Sequence, residues 1–277
     1  MMATMVGGGA KESGWRPTIR PRITLCDAIR ACLRGDGSLH DGGIRSPLHH
    51  KLAELEEQNA AAEAAAKHDA GARLLVPLVK TSHTRVDRAL AILNLSKSDT
   101  FVDLGCGDGR LALYAADTTS AMSYGMEVSP SLIQCCKRGA AAAALDESRV
   151  RFLLTDLTMF YEPDNRPLPA GVGSEGNPVF DEAESRNVLQ RATAIYVYLH
   201  GAILIGLTPT LLRAVSRGAR VLTLEHHLPS PEDSVSIAAL PPDCQALAHL
   251  LKPAEVHLST WHLYQQAKED TPTLTQK

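Results

Sequence analysis

The chain has 277 residues, a length that fits one α/β domain with extensions or two small domains. Its composition, 44% hydrophobic and 21% charged, is typical of a soluble globular protein and excludes a largely disordered chain. The net charge of −3 creates no positive field, so the sequence carries no strong nucleic-acid signal, although charge alone does not exclude an RNA or DNA substrate. No apolar run reaches the roughly 20 residues of a transmembrane segment.

Cysteine and histidine spacing indicates no metal site. The six cysteines form no CxxC pair and no regular disulfide spacing, which favours a reducing compartment. The 11 histidines include two adjacent pairs, His49–His50 and His226–His227, but no HExxH motif and no Cys/His cluster with ligand spacing. The sequence therefore predicts that no metal is bound.

The N-terminal extension, residues 1–46, is rich in Gly, Arg and Ser and is predicted to be poorly ordered. Between Lys11 and Arg34 it contains six cations and two acids, and Arg-rich, acid-poor N-termini are typical of organelle transit peptides. A disordered basic tail and a packing helix are the alternatives, so the location is predicted as mitochondrial or cytoplasmic, without a choice between them. Residues 47–74, dominated by Ala, Glu, Leu and Lys, are predicted to form a helix.

The next region, residues 75–268, alternates between two kinds of pattern. The predicted elements are a helix from about 83, strand 100–104, helix 109–117, strand 122–127, helix 130–145, strand 150–154, strand 194–199, helix 201–216 with a break near Pro209, and strand 219–224. Strands alternating with helices imply right-handed βαβ crossovers. The region is therefore predicted to be an α/β domain with a mostly parallel, doubly wound sheet and helices on both faces.

One stretch interrupts that alternation. Residues 160–191 contain four prolines, three glycines and several acids, so they are predicted to be a surface insertion, at least partly mobile. Further along, residues 254–266 predict one or two strands, and residues 269–277 form a polar tail.

A glycine-rich stretch, VDLGCGDGR from Val102 to Arg110, follows a predicted strand and opens a predicted helix. Gly105, Gly107 and Gly109 allow the backbone to turn tightly and to approach a ligand without interference from a Cβ atom. In an open α/β sheet such a loop lies at the carboxyl end of a strand, where nucleotide-like cofactors bind.

Spacing and charge select among such cofactors. The dinucleotide fingerprint GxGxxG would require a third glycine at the position of Arg110, and the GxxxxGK[ST] motif of P-loops is absent. Asp108 adds negative charge where a pyrophosphate would bind, which disfavours the alternative of an NAD-dependent oxidoreductase. A cationic cofactor without phosphate suits the loop better, and S-adenosyl-L-methionine is one, with Asp103 or Asp108 near its amino group or sulfonium.

Two more acids follow the next two predicted strands. Glu127 lies 20 residues beyond Gly107, where an acid is able to bind a ribose hydroxyl. Asp156, with its neighbour Leu157, follows the strand 150–154, where an acid is able to accept a hydrogen bond from the adenine amine. Carboxylates after three successive strands would then surround one cofactor molecule.

At this point the sequence resembles a known family. Asp103 and the three loop glycines match motif I of the class I, Rossmann-like S-adenosylmethionine-dependent methyltransferases, and Glu127 and Asp156 match their acidic ribose and adenine positions. The order VPLVKT, VDLGCGDGRLAL, YGMEVSPSLI, FLLTDL, YVYL and RGARVLTLEHHLP resembles, more narrowly, the protein-lysine N-methyltransferases related to the mitochondrial ATP synthase c-subunit lysine methyltransferase.

That resemblance implies a Rossmann-like methyltransferase fold, lysine methylation of a protein substrate, and contact between Thr81 and the methionine part of the cofactor. The chain departs from the pattern in three respects. No transmembrane segment precedes the domain, the insertion after Asp156 is long, and Cys106 stands where these enzymes often have serine.

The methyl acceptor is expected at the end of the fourth predicted strand. Tyr198 and His200 are the candidates for shaping its pocket, with His200 as a proton acceptor, while sheet packing and a helix N-terminus are the alternatives for the two side chains. Residues 225–227, after the following strand, also border this face. The absence of [DN]PP[YF] argues against adenine or glutamine amide nitrogen. A small-molecule or RNA acceptor and a catalytically inactive cofactor-binding relative are the alternatives.

Overall fold

The computed structural model describes residues 79–163, 179–229, 233–250 and 261–266, together with isolated positions between 48 and 64. The chain divides into two units, residues 1–38 and 39–277, and all described residues belong to the second. Each described position between 48 and 64 is helical, in agreement with the helix predicted there. The predicted extension, with its candidate targeting segment, and the polar tail lie outside the described residues.

From residue 83 onward, helices and strands alternate as the sequence predicts. In chain order they are α1 (His83–Leu93), β1 (Thr100–Leu104), α2 (Arg110–Thr119), β2 (Met122–Glu127), α3 (Pro130–Ala142), β3 (Val150–Leu154), a 3₁₀ turn (Leu157–Phe160), α4 (Glu182–Arg191), β4 (Ala194–Val197), α5 (Gly201–Ser216), β5 (Arg220–Leu224), α6 (Ser234–Ala238), α7 (Pro242–Leu250) and β6 (Trp261–Tyr264).

The strands of the described region form one sheet of six in the order β3-β2-β1-β4-β5-β6. The first five run parallel, and β6 pairs antiparallel with β5. Strand order reverses between β1 and β4, which are neighbours in the sheet although far apart in sequence. The prediction of a mostly parallel, doubly wound sheet is confirmed.

Each face of the sheet is covered by helices. Alternate β1 residues point to opposite faces, since Phe101 belongs to the core beneath α1, α2 and α3, whereas Val102 belongs to the core beneath α4, α5 and α7. Strands buried on both faces are typical of parallel sheets. The predicted placement of helices on both faces is confirmed.

The predicted break near Pro209 is wrong, because helix α5 is continuous through that residue. Proline removes the hydrogen bond to the carbonyl of residue 205, four positions earlier. Ile205 is 71% exposed, so water is able to take that carbonyl's hydrogen bond, while Leu207 and Leu211 are buried. Burial of the apolar face therefore outweighs the lost backbone bond.

Helix α4 lies in the C-terminal part of the stretch predicted as a surface insertion. Its Ser185, Val188 and Leu189 are buried, so this part contributes to the core instead of projecting from the surface. Glu182 and Glu184 occupy its first turn, where acids favour a helix N-terminus. The middle of the stretch, residues 164–178, lies outside the described residues.

Candidate active site

A cavity lies where the strand order reverses, at the carboxyl ends of β1 and β4. It is lined by residues 79–81, by Asp103 and most of the loop that follows it, and by Tyr196 and Tyr198. In open α/β sheets, ligands bind at this reversal, because the loops of the two halves separate there and leave a crevice. The geometry therefore makes this cavity the candidate active site.

The loop after β1 depends on glycine at two points where backbone conformation and space are both restricted. Gly105 and Gly109 have φ angles of 75° and 77°, in the left-handed region. A Cβ atom at 105 would lie 2.5 Å from Leu199 Cδ2, and one at 109 would lie 2.7 Å from Phe152 Cε1. Glycine is therefore required at both positions by the backbone conformation and by the packing of the loop against neighbouring side chains.

Glu127, predicted to bind ribose, stabilises this loop from beneath. Its Oε2 accepts a hydrogen bond from Gly107 N at 3.0 Å, and its Oε1 accepts from Val128 N and Ser129 N at 2.9 and 3.1 Å. Burial raises the pKa of this carboxyl, and the three backbone N–H groups oppose the rise. Glu127 is 7% exposed and is not among the residues lining the cavity.

Asp103 lies deeper and has a different environment. It is 4% exposed, and no described residue donates a hydrogen bond to its carboxylate. Burial raises its pKa well above the usual range, and the nearby Asp108 and Glu127 raise it further. A buried carboxylate that lines a cavity and lacks a partner is arranged to accept hydrogen bonds from a cationic ligand.

Asp108 is already paired. Arg110 Nε lies 3.0 Å from both of its carboxylate oxygens, and Arg110 Nη2 lies 2.5 Å from Oδ2. Arg110 Nη1 also donates to the Thr81 carbonyl at 3.1 Å. Asp108, which the sequence analysis considers for the cofactor's positive charge, thus orients Arg110. Arg110 in turn holds residues 79–81 beside the loop.

Asp156 and Leu157, predicted to contact the adenine of the cofactor, do not line this cavity. Asp156 Oδ1 accepts hydrogen bonds from Thr158 N at 3.0 Å and from Thr158 Oγ1 at 2.8 Å, which caps the 3₁₀ turn. Leu157 is partly buried against the core beneath α5. Neither residue is among those lining the cavity.

Three side chains form a polar cluster at the edge of the cavity that we call the rim cluster: Arg85, Tyr198 and Glu225. Tyr198 donates to Glu225 Oε1 at 3.0 Å, and Arg85 Nη1 donates to the Tyr198 hydroxyl at 3.1 Å. Arg85 Nη1 also lies 3.2 Å from Glu225 Oε1, and its guanidinium carbon lies 5.8 Å from the centre of the Tyr198 ring. Burial raises the pKa of Tyr198, as does its hydrogen bond to Glu225, while Arg85 opposes the rise.

His200, the other predicted acceptor-side residue, caps helix α5. Its Nδ1 accepts a hydrogen bond from Ala202 N at 3.3 Å, so the neutral ring carries its proton on Nε2. Its ring centre lies 5.8 Å from that of His226, in an edge-to-face arrangement. His200 is exposed and is not among the residues that line the cavity.

Several residues of the site were missed in the sequence, among them Tyr196 and Arg85. Tyr196 lines the cavity from the middle of β4, and its spacing of two from Tyr198 places both on one side of the strand, a signal the sequence does carry. Arg85 lies on α1 and meets Tyr198 only through the packing of the chain, for which the sequence offers no local signal.

Residues 101–195, which span β1 to β4, match the model of a family described as the methyltransferase domain. That range contains the glycine loop, Asp103, Glu127 and Asp156. This part of the chain is therefore similar to a methyltransferase domain. The match supports the cofactor predicted from the loop, S-adenosylmethionine.

Known proteins resemble the methyltransferase domain to different extents. The ribosomal RNA large subunit methyltransferase G of Shewanella amazonensis is 34% identical over 94 residues, which are 34% of this chain and 21% of that protein. The chain thus spans about a fifth of the length of this curated relative. Among solved structures, an RNA methyltransferase from Salinibacter ruber, in complex with S-adenosyl-L-homocysteine, is 22% identical with a TM-score of 0.45, covering 72% of this chain and 100% of that one.

Two further observations concern the described part of the chain. Within the described ranges, no group of three or more His, Cys, Asp or Glu side chains is arranged to hold a metal ion. No helix in that part of the chain is long and apolar enough to cross a membrane.

Proposed function

We propose that this protein is an S-adenosylmethionine-dependent methyltransferase that transfers the methyl group to a lysine amine of a protein substrate. The observation that carries the first part is the glycine loop at the reversal of strand order, inside the segment that matches the methyltransferase family. The rim cluster supports the second part, because it joins a carboxylate and an aromatic ring at the edge of the same cavity.

The described residues fit the cofactor. The loop lines the cavity at Gly105 and Gly107, and glycine at 105 and 109 maintains its shape, because a Cβ atom there would collide with Leu199 or Phe152. Asp103 offers a buried carboxylate without a partner among the described residues, which suits a positively charged group. Thr81, held beside the loop by Arg110, lines the same cavity. Glu127 and Asp156 would border the remaining part of the cofactor.

When bound, S-adenosylmethionine supplies a methyl group on a positively charged sulfur. Catalysis of such a displacement is mostly positioning and exclusion of water. Residues 79–81 line one side of the cavity and would shield a bound cofactor from water there. Tyr198 and Glu225, which are hydrogen-bonded to each other, would orient the incoming amine, and the Glu225 carboxylate would accept the proton that the amine loses.

A lysine side chain fits the rim cluster for a specific reason. The cluster already holds a long cationic side chain, that of Arg85, against the Tyr198 ring and the Glu225 carboxylate. Cations bind over aromatic faces and beside carboxylates, and both Arg85 and Glu225 are partly exposed, so an incoming ammonium is able to compete with the guanidinium. Partial desolvation at the rim would lower the lysine pKa and favour the neutral amine that attacks.

Glu225 is also strained. Its φ angle is 68°, in the left-handed region that residues other than glycine rarely adopt. Strained backbone clusters at functional sites because the surrounding structure must hold it. The sequence already indicates that residues 225–227 border the acceptor face. The backbone strain is a second, independent argument for a role of Glu225 at the acceptor.

RNA is the second candidate acceptor, and one observation favours it. The relative from Shewanella amazonensis is a ribosomal RNA methyltransferase, and it is similar over 94 residues of this chain. An RNA acceptor would require cations that contact phosphates. The net charge of −3 does not provide them as a general field, so we place lysine first.

Incubation of the purified protein with methyl-labelled S-adenosylmethionine and a cell lysate tests the proposal. Label is expected in protein, sensitive to protease and resistant to nuclease, and acid hydrolysis is expected to release methyl-lysine. Nuclease-sensitive label would support RNA instead, and label confined to small molecules would exclude both acceptors. A protein that binds S-adenosylhomocysteine but labels nothing would be an inactive relative. An Asp103→Asn variant, weakened in cofactor binding, identifies label that does not depend on this enzyme.

A further inference from the structure

Tyr196 carries a buried hydroxyl with no assigned use. The residue is 2% exposed, and its ring packs against Trp261 with the ring centres 6.3 Å apart. Its hydroxyl has no hydrogen-bond partner among the described residues. Buried tyrosine hydroxyls are usually bonded, so an unpaired one at a cavity indicates a ligand that completes it.

Tyr196 lies beside Asp103 in the sheet. The two residues are Cα partners in the pairing of β1 with β4, so their side chains project from the same face of the sheet. Both line the cavity, and the Tyr196 hydroxyl lacks a hydrogen-bond partner among the described residues. One wall of the cavity thus presents a carboxylate and a hydroxyl side by side, neither of them used by the fold.

The other polar groups of the cavity indicate which part of a ligand belongs there. Lys80 and the Thr81 side chain line the same space, so the wall combines a cation and hydroxyls with the Asp103 carboxylate. This set matches a group with both an ammonium and a carboxylate, which is the amino-acid end of the cofactor. The groups predicted for ribose and adenine, Glu127 and Asp156, are not among the lining residues.

Burial raises the pKa of Tyr196, and Asp103 raises it further. Thr81 opposes this rise. The hydroxyl therefore keeps its proton at neutral pH, and it is able both to donate to a carboxylate and to accept from an ammonium.

We propose that Tyr196 is a cofactor-binding residue whose hydroxyl, beside Asp103, bonds the amino-acid end of the bound cofactor. The inference rests on the proposed function, since it requires that S-adenosylmethionine occupies this cavity. It adds a specific consequence. Tyr196 discriminates between ligands that carry the amino-acid end and ligands that lack it.

The test is the Tyr196→Phe variant, assayed by calorimetric titration with S-adenosylhomocysteine and with 5′-methylthioadenosine, which lacks the amino-acid end. The affinity for S-adenosylhomocysteine is expected to fall about tenfold or more, the effect of one hydrogen bond to a charged group. The affinity for 5′-methylthioadenosine is expected to stay within about twofold, because that ligand does not reach the hydroxyl. The Tm of the free variant is expected to equal or exceed that of the wild type, because an unpaired buried hydroxyl has been removed.

The matched control is Tyr264→Phe. Tyr264 is as deeply buried as Tyr196, but its hydroxyl accepts a hydrogen bond from Leu228 N at 2.9 Å. This variant is expected to lower the Tm and to leave both affinities unchanged, the opposite pattern to Tyr196→Phe. Unchanged affinity for S-adenosylhomocysteine in Tyr196→Phe, or an equal loss for both ligands, would overturn the proposal. A wild-type protein that binds neither ligand would overturn the proposed function instead.

Discussion

The two sides of the strand-order reversal hold their polar groups in different ways. After β1 and β2, the loop is fixed by buried backbone hydrogen bonds, among them the bond from Gly107 N to Glu127. After β4 and β5, the rim cluster is held by contacts between side chains, and those of Arg85 and Glu225 are 41% and 39% exposed.

This difference separates two kinds of recognition. A loop whose shape depends on buried backbone bonds and on glycine tolerates few alternatives, so its sequence identifies the cofactor. Exposed pairs of side chains are worth little individually and are exchanged without loss of the fold. The proposed function thus places recognition of the acceptor in residues that the fold does not require, and substitutions on the two sides should have effects of different size.

The largest effect is expected from Gly109→Ala. The left-handed φ of 77° opposes any L side chain, and the new Cβ would lie 2.7 Å from Phe152 Cε1 and 2.8 Å from Cys136 Sγ. Backbone strain and overpacking together are expected to lower the free energy of unfolding by about 2–5 kcal/mol. Urea denaturation measures this change, and titration with S-adenosylhomocysteine should show little or no binding.

Gly218→Ala is the control that separates strain from collision. Gly218 has a φ of 95°, and a Cβ atom there would meet nothing within 4 Å. In this variant only the backbone conformation is unfavourable, so the free energy of unfolding is expected to fall by about 1–2 kcal/mol. Its affinity for S-adenosylhomocysteine is expected to equal that of the wild type. Equal losses in the two variants would show that the packing around the loop contributes nothing.

Glu127→Gln is expected to have the next largest effect. The amide keeps one acceptor oxygen but replaces the other with a donor, so it is unable to serve Gly107 N, Val128 N and Ser129 N together. We expect a loss of about 1–3 kcal/mol in the free energy of unfolding and a weaker affinity for S-adenosylhomocysteine. Asp146→Asn, which changes an exposed carboxylate bonded to Ser148 N, should leave that affinity unaltered. An unchanged affinity in Glu127→Gln would show that the loop does not need this carboxylate.

Asp103→Asn tests the cofactor side through pH. Because burial raises the pKa of Asp103 in the folded protein, ionisation destabilises the fold as pH rises from about 4, its value in the unfolded chain, through the raised pKa. The variant is therefore expected to raise the Tm of the free protein by a few degrees at pH 7, with the difference shrinking toward about pH 4. Its affinity for S-adenosylhomocysteine should fall. Thermal melts across pH measure the first effect, and a difference independent of pH would contradict it.

The same contrast explains what the sequence was able to predict. The glycine loop, the strands beside it and the acids at their ends are local patterns, and the structure places β1, β2 and β3 at the predicted residues. Helix α4 was missed because prolines and glycines precede it, and only burial of Val188 and Leu189 against the sheet identifies it as core. The continuity of α5 through Pro209 also depends on burial, which no local pattern reports.

Within the site, the limit is tertiary contact. Asp103 and the loop glycines are recognisable because they are adjacent in sequence, whereas Arg85, Tyr198 and Glu225 come from three separate elements and meet only in the folded chain. The sequence also shows that Asp108 is acidic but not that Arg110 pairs with it. The acids that follow strand ends were therefore recognisable in the sequence, but their hydrogen-bond partners within the protein were not.

The smallest effects on stability, and the most selective, are expected in the rim cluster. Tyr198→Phe removes a hydroxyl that joins Arg85 and Glu225, contacts that are partly exposed and worth less than about 1 kcal/mol. Titration with S-adenosylhomocysteine should give an affinity within about twofold of the wild type, while kcat/KM for the protein acceptor should fall about threefold to tenfold. A loss of cofactor affinity equal to the loss of kcat/KM would show that Tyr198 belongs to the cofactor side and that the rim does not serve the acceptor.

Glu225 sharpens this comparison because strain and function are separable there. Glu225→Gly relieves the left-handed φ of 68° and removes the carboxylate, whereas Glu225→Ala removes the carboxylate and keeps the strain. The glycine variant is expected to be about 1 kcal/mol more stable than the alanine variant, and both should lose acceptor turnover to the same extent. If turnover instead followed stability, the backbone of residue 225 would matter more than its carboxylate. If the two variants lose turnover equally but differ in stability, the acceptor contact is made by the Glu225 side chain. The proposed recognition of an amine requires this result.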